Sequence, residues 1–374
     1  MIKVLYIITH CTKSGPIQQM LNLIKNLDRN KFDPYLVTIY EETKDKVSLL
    51  EEYKKILPCM FIKITKLDII LGRVNKIKIC IKNIQPDIIH TFGVFPDFMI
   101  TKMKFEKHVL TSRNYVYDDY PDAYGKVLGY YLAKLHLYAI KHAKFSQCCS
   151  QSLHNIYLEK LGMNIPYIRN GVDLTLYNKI NDLDKMKLRE EFLLPKEKKI
   201  MVYGGVFNER KNQRFLLEAI AGENQFSNIC FLLLGDGVEY KELYKVYSKY
   251  DNIIMPGNTE RMVDYLRASD YYISTSKSEG LPNGVLEAMA IGLPVLLSDI
   301  PQHKEIFEVD NRVGILYLKG NTKDFRKKIG KIITMDYYEM SNAAEISAKN
   351  NFSANIMSSN YQKLYQKIYQ EGDY

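Results

Sequence analysis

Glu279-Gly-Leu-Pro-Asn-Gly-Val-Leu-Glu287-Ala-Met-Ala-Ile-Gly-Leu-Pro-Val295 is the stretch in which punctuation, charge and hydrophobic period change together. The apolar, β-branched run Asp270–Ser276 before it predicts a buried strand, and Val295–Asp299 after it predicts another. Between them the spacing predicts one helix. Pro282 and Asn283 suit its start, Val285, Leu286, Met289 and Ala290 recur at helical intervals, and Gly292 followed by Pro294 stops it. Strand, loop, helix, strand sets Gly280 and Gly284 beside the free N–H groups of a helix N-terminus, where a phosphate binds without a metal. Glu279 in the loop and Glu287 about one turn into the helix can then face the two ends of a bound nucleotide, carboxylates being acceptors for sugar hydroxyls. Two glutamates met anywhere else would be read as solvated charges.

These surroundings are specific. Two glutamates separated by seven residues, followed by Ala-Met-Ala-x-Gly-x-Pro-Val, resemble the signature of the retaining nucleotide-sugar glycosyltransferases of family four, of the bacterial surface-polysaccharide type. The resemblance implies an α/β architecture of two Rossmann-like domains facing across a cleft, the GT-B fold. On it, residues 1–175 form an acceptor-binding domain and 176–350 a nucleotide-sugar-binding domain, while a final helix at about 351–370 crosses back to the first. It further implies that Glu279 lies against the donor sugar, that Glu287 holds the ribose hydroxyls, and that the backbone of Gly280, Leu281, Pro282 and Asn283 contacts sugar and phosphate.

The rest of the second half repeats the strand-helix rhythm. Lys199–Gly205 is a strand ending in two glycines, and the loop Val206-Phe-Asn-Glu-Arg-Lys-Asn-Gln213 follows. The family places an Arg shortly after the glycines and a Lys five or six residues on, to neutralise the diphosphate. Lys211 stands in the lysine position, Val206 occupies the arginine position, and Arg210 is the substitute cation. By the same resemblance Gly205, Asp236 of Ile229–Gly237 and Gly257 of Asn252–Gly257 flank the donor.

In the first half, residues 2–9 predict a strand and Gly15–Leu27 an amphipathic helix, with the turn His10–Pro16 between them. Gly15 is the one glycine retained where the family has two, a donor-phosphate candidate. Strands at Tyr35–Ile39, Met60–Ile64 and Asp87–Thr91 alternate with helices near Lys46–Tyr53 and Ile69–Ile84, the pattern of a parallel sheet. His90 is expected to line the acceptor cleft. After Val109–Ser112, where many family members carry a His, this chain has Arg113-Asn114-Tyr115. Arg113 cannot act as a base but can neutralise phosphate oxygens, and Asn114 and Tyr115 join it as acceptor-cleft candidates. Val116–Tyr124, acidic and aromatic, reads as a loop suited to sugar recognition, and Lys126–Lys144 as a helix packed on the sheet. Tyr167–Asp173 contains the Asn-Gly-Val-Asp turn of the domain boundary, and Asn178–Glu197 a linker with one helix.

With 374 residues, 46% hydrophobic and 25% charged, the composition is that of a folded two-domain protein. No run of eighteen apolar residues occurs and the apolar start is too short for a signal peptide, so a cytoplasmic protein is expected. Six cysteines without Cys-x-x-Cys spacing read as buried thiols, and neither metal nor other cofactor is expected. The net charge of +9 is uneven: Lys plus Arg against Asp plus Glu is 25 to 16 over residues 1–175 and 27 to 27 over 176–374. The excess suits an anionic membrane surface, through Lys63, Lys66, Arg73, Lys76, Lys78, Lys82, Lys102, Lys104 and Lys107. Nucleic acid is not expected, since the second half is neutral and no binding motif occurs. The expected partners are a nucleoside-diphosphate sugar and a glycan or lipid-diphosphate-linked acceptor. A non-hydrolysing nucleotide-sugar epimerase and a non-catalytic partner subunit are the alternatives. Donor-binding titration separates the latter, and product analysis without acceptor the former.

Overall fold

Strand β1 (Ile2–Ile8) is apolar at nearly every position because a central parallel strand is covered on both faces. In the computed structural model, which describes residues 1–42 and 47–371, it centres the first of two units, Met1–Gly171 joined by the chain from Ala354 onward; the second is Val172–Ser353.

After β1 the first unit runs α1 (Gly15–Lys25), β2 (Phe32–Thr38), α2 (Leu50–Lys54), β3 (Cys59–Phe61), α3 (Lys66–Ile70), α4 (Asn75–Ile84) and β4 (Ile88–Phe92). It continues with α5 (Val94–Lys102), β5 (His108–Ser112), α6 (Val116–Tyr124), α7 (Lys126–His142), β6 (Phe145–Cys148) and α8 (Gln151–Leu161). The second unit runs α9 (Asp182–Glu191), β7 (Lys199–Gly204), α10 (Gln213–Ile220), β8 (Ile229–Leu234), α11 (Tyr240–Tyr247), β9 (Ile253–Gly257) and α12 (Met262–Ala268). It ends with β10 (Tyr271–Ser274), α13 (Asn283–Ala290), β11 (Val295–Ser298), α14 (Pro301–Val309), β12 (Gly314–Tyr317), α15 (Thr322–Ile332) and α16 (Tyr337–Asn351). Helix α17 (Ala354–Gln370) returns to the first unit.

Each unit holds a six-stranded sheet, ordered β3-β2-β1-β4-β5-β6 in the first and β12-β11-β10-β7-β8-β9 in the second, with every pairing parallel. In both, strand order reverses beside the first strand of the unit, at β1/β4 and at β7/β10. Crevices at the carboxyl ends of such strands are where open α/β sheets bind ligands.

Three local expectations are corrected. Val116–Tyr124 is helix, not loop: Gly129 of α7 has no side chain, and a Cβ there would lie 2.5 Å from the Tyr120 carbonyl, so the two helices close on each other. Ile69–Ile84 is two helices, because α3 is set by a Thr65/Asp68 capping box and ends at Gly72 with φ +70°. The helix expected near Lys46–Tyr53 is α2; Lys46 lies outside the described residues.

Helix α17 roofs the first sheet. Its Tyr365 hydroxyl is 2.6 Å from His90 Nδ1 and 3.2 Å from the Tyr6 hydroxyl, and its Tyr361 hydroxyl is 2.8 Å from Thr111 Oγ1. Polar side chains that the strands turn inward thus find partners on the helix covering them.

Candidate active site

Two loops leave the second sheet where its order reverses, one after β7 and one after β10, and each brings charge to the same place. After β7 the chain runs through Gly205 to Asn212, whose φ of +56° turns it into α10. Lys211 is fixed at the backbone: its N–H donates to Asn208 Oδ1 (2.9 Å) and its carbonyl accepts from the Tyr203 hydroxyl (2.7 Å). After β10, Ser276 and Glu279 stand three residues apart and Ser276 Oγ donates to Glu279 Oε1 at 2.7 Å.

The loops meet in a charge cluster. Lys211 Nζ donates to Glu279 Oε1 at 2.5 Å, and Arg210 Nη1 to Glu279 Oε2 at 2.8 Å and to the Ser278 carbonyl at 2.9 Å. Glu279 is 8% exposed. Burial on its own would push its carboxyl up, but Lys211, Arg210 and the bonds from Lys211 and Ser276 outweigh it and hold the group well below the usual carboxylate range. Glu279 is therefore an anion at neutral pH, with two cations against it. Sequence reading placed all three residues in the site and Arg210 as the substitute cation, but missed Ser276 and Tyr203, which orient them.

His303, in the first turn of α14, is fully buried beneath this cluster, its Nδ1–H donating to the Ser298 carbonyl at 2.8 Å. Burial holds it down to about 4, with Glu279 the strongest charge opposing that shift. It is a neutral support under the acid.

From Glu279 the chain passes through buried Gly280, Leu281 and Pro282 into α13, whose first residue is Asn283. Gly284 is required there, because a Cβ would stand 2.5 Å from the Tyr272 hydroxyl. Glu287 is half-buried on α13, and its charge, after burial, pushes up the phenol of Tyr177, a residue in no sequence motif.

Gly205, Asp236 and Gly257 sit at the carboxyl ends of β7, β8 and β9. Gly235 N–H donates to the Gly257 carbonyl at 2.8 Å, and a Cβ on Gly235 would lie 2.0 Å from the Gly205 carbonyl. The glycines at these ends thus let one loop backbone approach another. Asp236 is exposed, with Oδ1 accepting from Gly237 N–H at 2.7 Å.

The remaining candidates belong to the first unit. Gly15 is exposed at the start of α1. Arg113, half-buried at the end of β5, donates to Asn170 Oδ1 at 2.5 Å and lies 4.9 Å over the Phe92 ring. Asn114 donates to Asp119 Oδ1 at 3.0 Å. Two acceptor-cleft assignments are corrected. His90 is wholly buried, both ring nitrogens are taken by Tyr365 and Thr111, and burial, then Arg113, hold it well below the ordinary imidazole range. Tyr115 is buried edge-on against Tyr157 at 5.4 Å. Both are core residues because α17 and α8 cover the strand ends that carry or adjoin them. Among the described residues no three His, Cys, Asp or Glu side chains form a group that could hold a metal ion.

Comparison with known proteins agrees with this fold. The chain is 24% identical to the O-antigen biosynthesis glycosyltransferase WclY of Escherichia coli, over 99% of both chains. It is 28% identical to the UDP-Gal:alpha-D-GlcNAc-diphosphoundecaprenol alpha-1,3-galactosyltransferase of Escherichia coli, over 78% of this chain and 70% of the relative. Among solved structures, Anabaena HepE in complex with UDP superposes with a TM-score of 0.79 at 17% identity, covering 98% of this chain and 100% of that one, a likeness that shows the fold. Residues 15–176 match the family described as Glycosyltransferase Family 4 and residues 184–351 that described as Glycosyl transferases group 1. With both halves matched in order, the chain belongs to the family-four glycosyltransferases, which share the GT-B fold.

Proposed function

We propose that this enzyme moves a hexosyl or N-acetylhexosaminyl group, with retention at the anomeric carbon and without a metal, from a nucleoside-diphosphate sugar to a glycan or lipid-diphosphate-linked glycan. The observation that carries the reading is the Arg210–Lys211–Glu279 cluster beside the N-terminus of α13. Breaking the sugar–phosphate bond places charge on the leaving diphosphate and positive character on the ring. Two cations and the positive end of the α13 dipole stabilise the first where it develops, and the Glu279 carboxylate stands against the second. The donor then belongs to the second unit, with Glu287 on its ribose, and the acceptor to the first, near Arg113 and Asn114. Names such as O-antigen glycosyltransferase and capsular polysaccharide glycosyltransferase among the relatives support surface-polysaccharide synthesis, and UDP in HepE supports a uridine donor. A lipid-linked acceptor would bring the enzyme to the inner face of the plasma membrane as a peripheral protein; no helix among the described residues is long and apolar enough to cross one.

The test is incubation with a panel of nucleoside-diphosphate sugars, read by nucleotide release with and without a glycan acceptor, in excess chelator. Acceptor-dependent release that survives the chelator is the expected result. Release that stops in chelator and returns with Mg²⁺ or Mn²⁺ would overturn the metal-free reading; an epimerised donor as the sole product would overturn transfer.

A further inference from the structure

Glu279 holds both of the cations that the proposed reaction assigns to the leaving diphosphate. Lys211 Nζ donates to its Oε1 at 2.5 Å and Arg210 Nη1 to its Oε2 at 2.8 Å, so each carboxylate oxygen has a positive group against it. With the bond from Ser276 Oγ at 2.7 Å, three of about four lone-pair directions are taken. The side chains of Arg210 and Lys211 are 20% and 18% exposed and that of Glu279 is 7%, so an anion arriving from solvent reaches the cations before the carboxylate. Phosphate offers such cations the same kind of paired oxygens as carboxylate does. The partners also differ in freedom. Lys211 is fixed at its backbone, but its ammonium ends a flexible four-carbon stem and turns from one anion to another without moving the loop. Glu279 stays, because Ser276, which holds it, is itself 2.9 Å from the Tyr203 hydroxyl and 3.2 Å from Ser274 Oγ.

We propose that Glu279 makes recognition of the sugar conditional on the diphosphate. A diphosphate drawing Lys211 and Arg210 toward itself frees carboxylate oxygens for the sugar hydroxyls; a sugar arriving without one meets a carboxylate already engaged. This rests on the reading that the two cations serve the diphosphate. Two consequences separate it from a merely structural ion pair. A nucleoside diphosphate alone must weaken the pair and gains no sugar contact in return, so it binds less tightly than the two cations would allow. The full donor recovers that cost through Glu279, and once the sugar is transferred the carboxylate competes with the product diphosphate and favours its release. The two subsites are thus coupled by one free energy that acts in both directions.

The experiment is a calorimetric titration of the full chain with UDP, GDP and ADP, and with the nucleoside of the tightest binder, on the wild type, Glu279→Gln, Lys211→Ala and the double variant. Wild type should bind the diphosphate more tightly than the nucleoside, and Lys211→Ala should lose most of that preference. Glu279→Gln should bind the diphosphate about tenfold more tightly than wild type, the worth of one hydrogen bond to a charged group, with nucleoside affinity unchanged. That gain should shrink in the double variant, where Lys211 is no longer there to be released. Loss of a structural contact weakens binding, whereas removal of a competitor strengthens it. Glu279→Asp, whose carboxylate is set one methylene back, should show a smaller gain in the same direction and serves where the amide variant does not fold. Glu279 variants that bind the diphosphate no more tightly than wild type, with the Lys211→Ala loss intact, overturn the proposal and leave the cation reading standing. A Lys211→Ala protein that keeps the preference, or wild type that binds none of the three diphosphates, overturns the reading beneath it.

Discussion

A carboxylate as buried as Glu279 persists as an anion because four hydrogen bonds reach or surround it from Ser276, Lys211 and Arg210 and from Arg210 to the neighbouring carbonyl. Glu279→Gln removes the charge and keeps the shape. Its expected effect is a loss of roughly 10²–10³ in kcat with a smaller change in donor affinity, since the group acts on charge that develops in the transition state. Glu287→Gln is expected to act on donor binding instead, by about 1.5–3 kcal/mol for a charged hydrogen bond. Steady-state kinetics on both variants separate the two roles, and unchanged parameters in both would remove the site assignment. Lys211→Ala should be severe. Arg210→Ala asks whether Arg210 takes the place of a cation at Val206; full activity in that variant would pass the role elsewhere. These residues were legible in the sequence because each belongs to a spaced pattern in a loop at a strand end. His90 and Tyr115 misled because a strand end says nothing about which later helix will cover it.

At the scale of elements, α13 lies so close to β10 that Gly284 has no room for a methyl group beside the Tyr272 hydroxyl. Gly284→Ala should cost about 1–3 kcal/mol of stability through overpacking, and Tyr272→Phe in the same background should recover most of it. Urea unfolding of the single and double variants checks this, and an equal loss in both would place the strain elsewhere. The strands also carry or abut neutral buried histidines: His90 well below the imidazole range, and His108 and His303 each at about 4, all lowered first by burial. Their folded values lie below the unfolded value of about 6.5, so the unfolded chain takes the protons first. Stability is full above that pH and falls as the pH drops toward the folded values, by up to about 1.4 kcal/mol per pH unit for each histidine. The urea midpoint should fall between pH 7 and pH 5, less steeply in His303→Gln; a midpoint flat over that range would contradict the neutral assignment. Glu279 acts in a separate window, below the ordinary carboxylate value, because its folded value is depressed. The parallel strands were legible as apolar runs bounded by turn formers. The α6 helix was not, because Pro121 and three aspartates argue for a loop in isolation, and only the close packing of α7 at Gly129 supplies the reason for helix.

Over the whole molecule the charge is lopsided, +9 in residues 1–175 and zero beyond, and the first unit adds something the sequence count did not contain. Helix α3 turns Ile69 inward and leaves Leu67, Ile70 and Leu71 exposed at 61%, 44% and 53%, one apolar face at i, i+3 and i+4 directed to solvent. Lys66, Arg73, Lys76, Lys78 and Lys82 are exposed in the same stretch, where Asp68 is the one acid and is engaged in capping α3. Of the other basic candidates, Lys63 is paired with Glu41, Lys102 lies 4.5 Å over the Tyr138 ring and Lys107 donates to the Tyr369 carbonyl. Lys104 is exposed apart from them, and the densest group of exposed cations is the one around α3, where Lys66 also lies 5.5 Å over the Phe95 ring and Lys76 donates to the Lys63 carbonyl. Each contributes about 1 kcal/mol near an anionic leaflet, and apolar side chains entering the interface add to that, enough for reversible attachment without a spanning helix. Co-sedimentation with vesicles is expected to require anionic lipid and to weaken with salt, as screened charges must. Leu67→Gln with Leu71→Gln should lower binding while leaving transfer to a water-soluble acceptor intact, because α3 carries no residue of the proposed site. Equal recovery on neutral and anionic vesicles would confine the enzyme to the aqueous phase and leave the exposed face of α3 without a role.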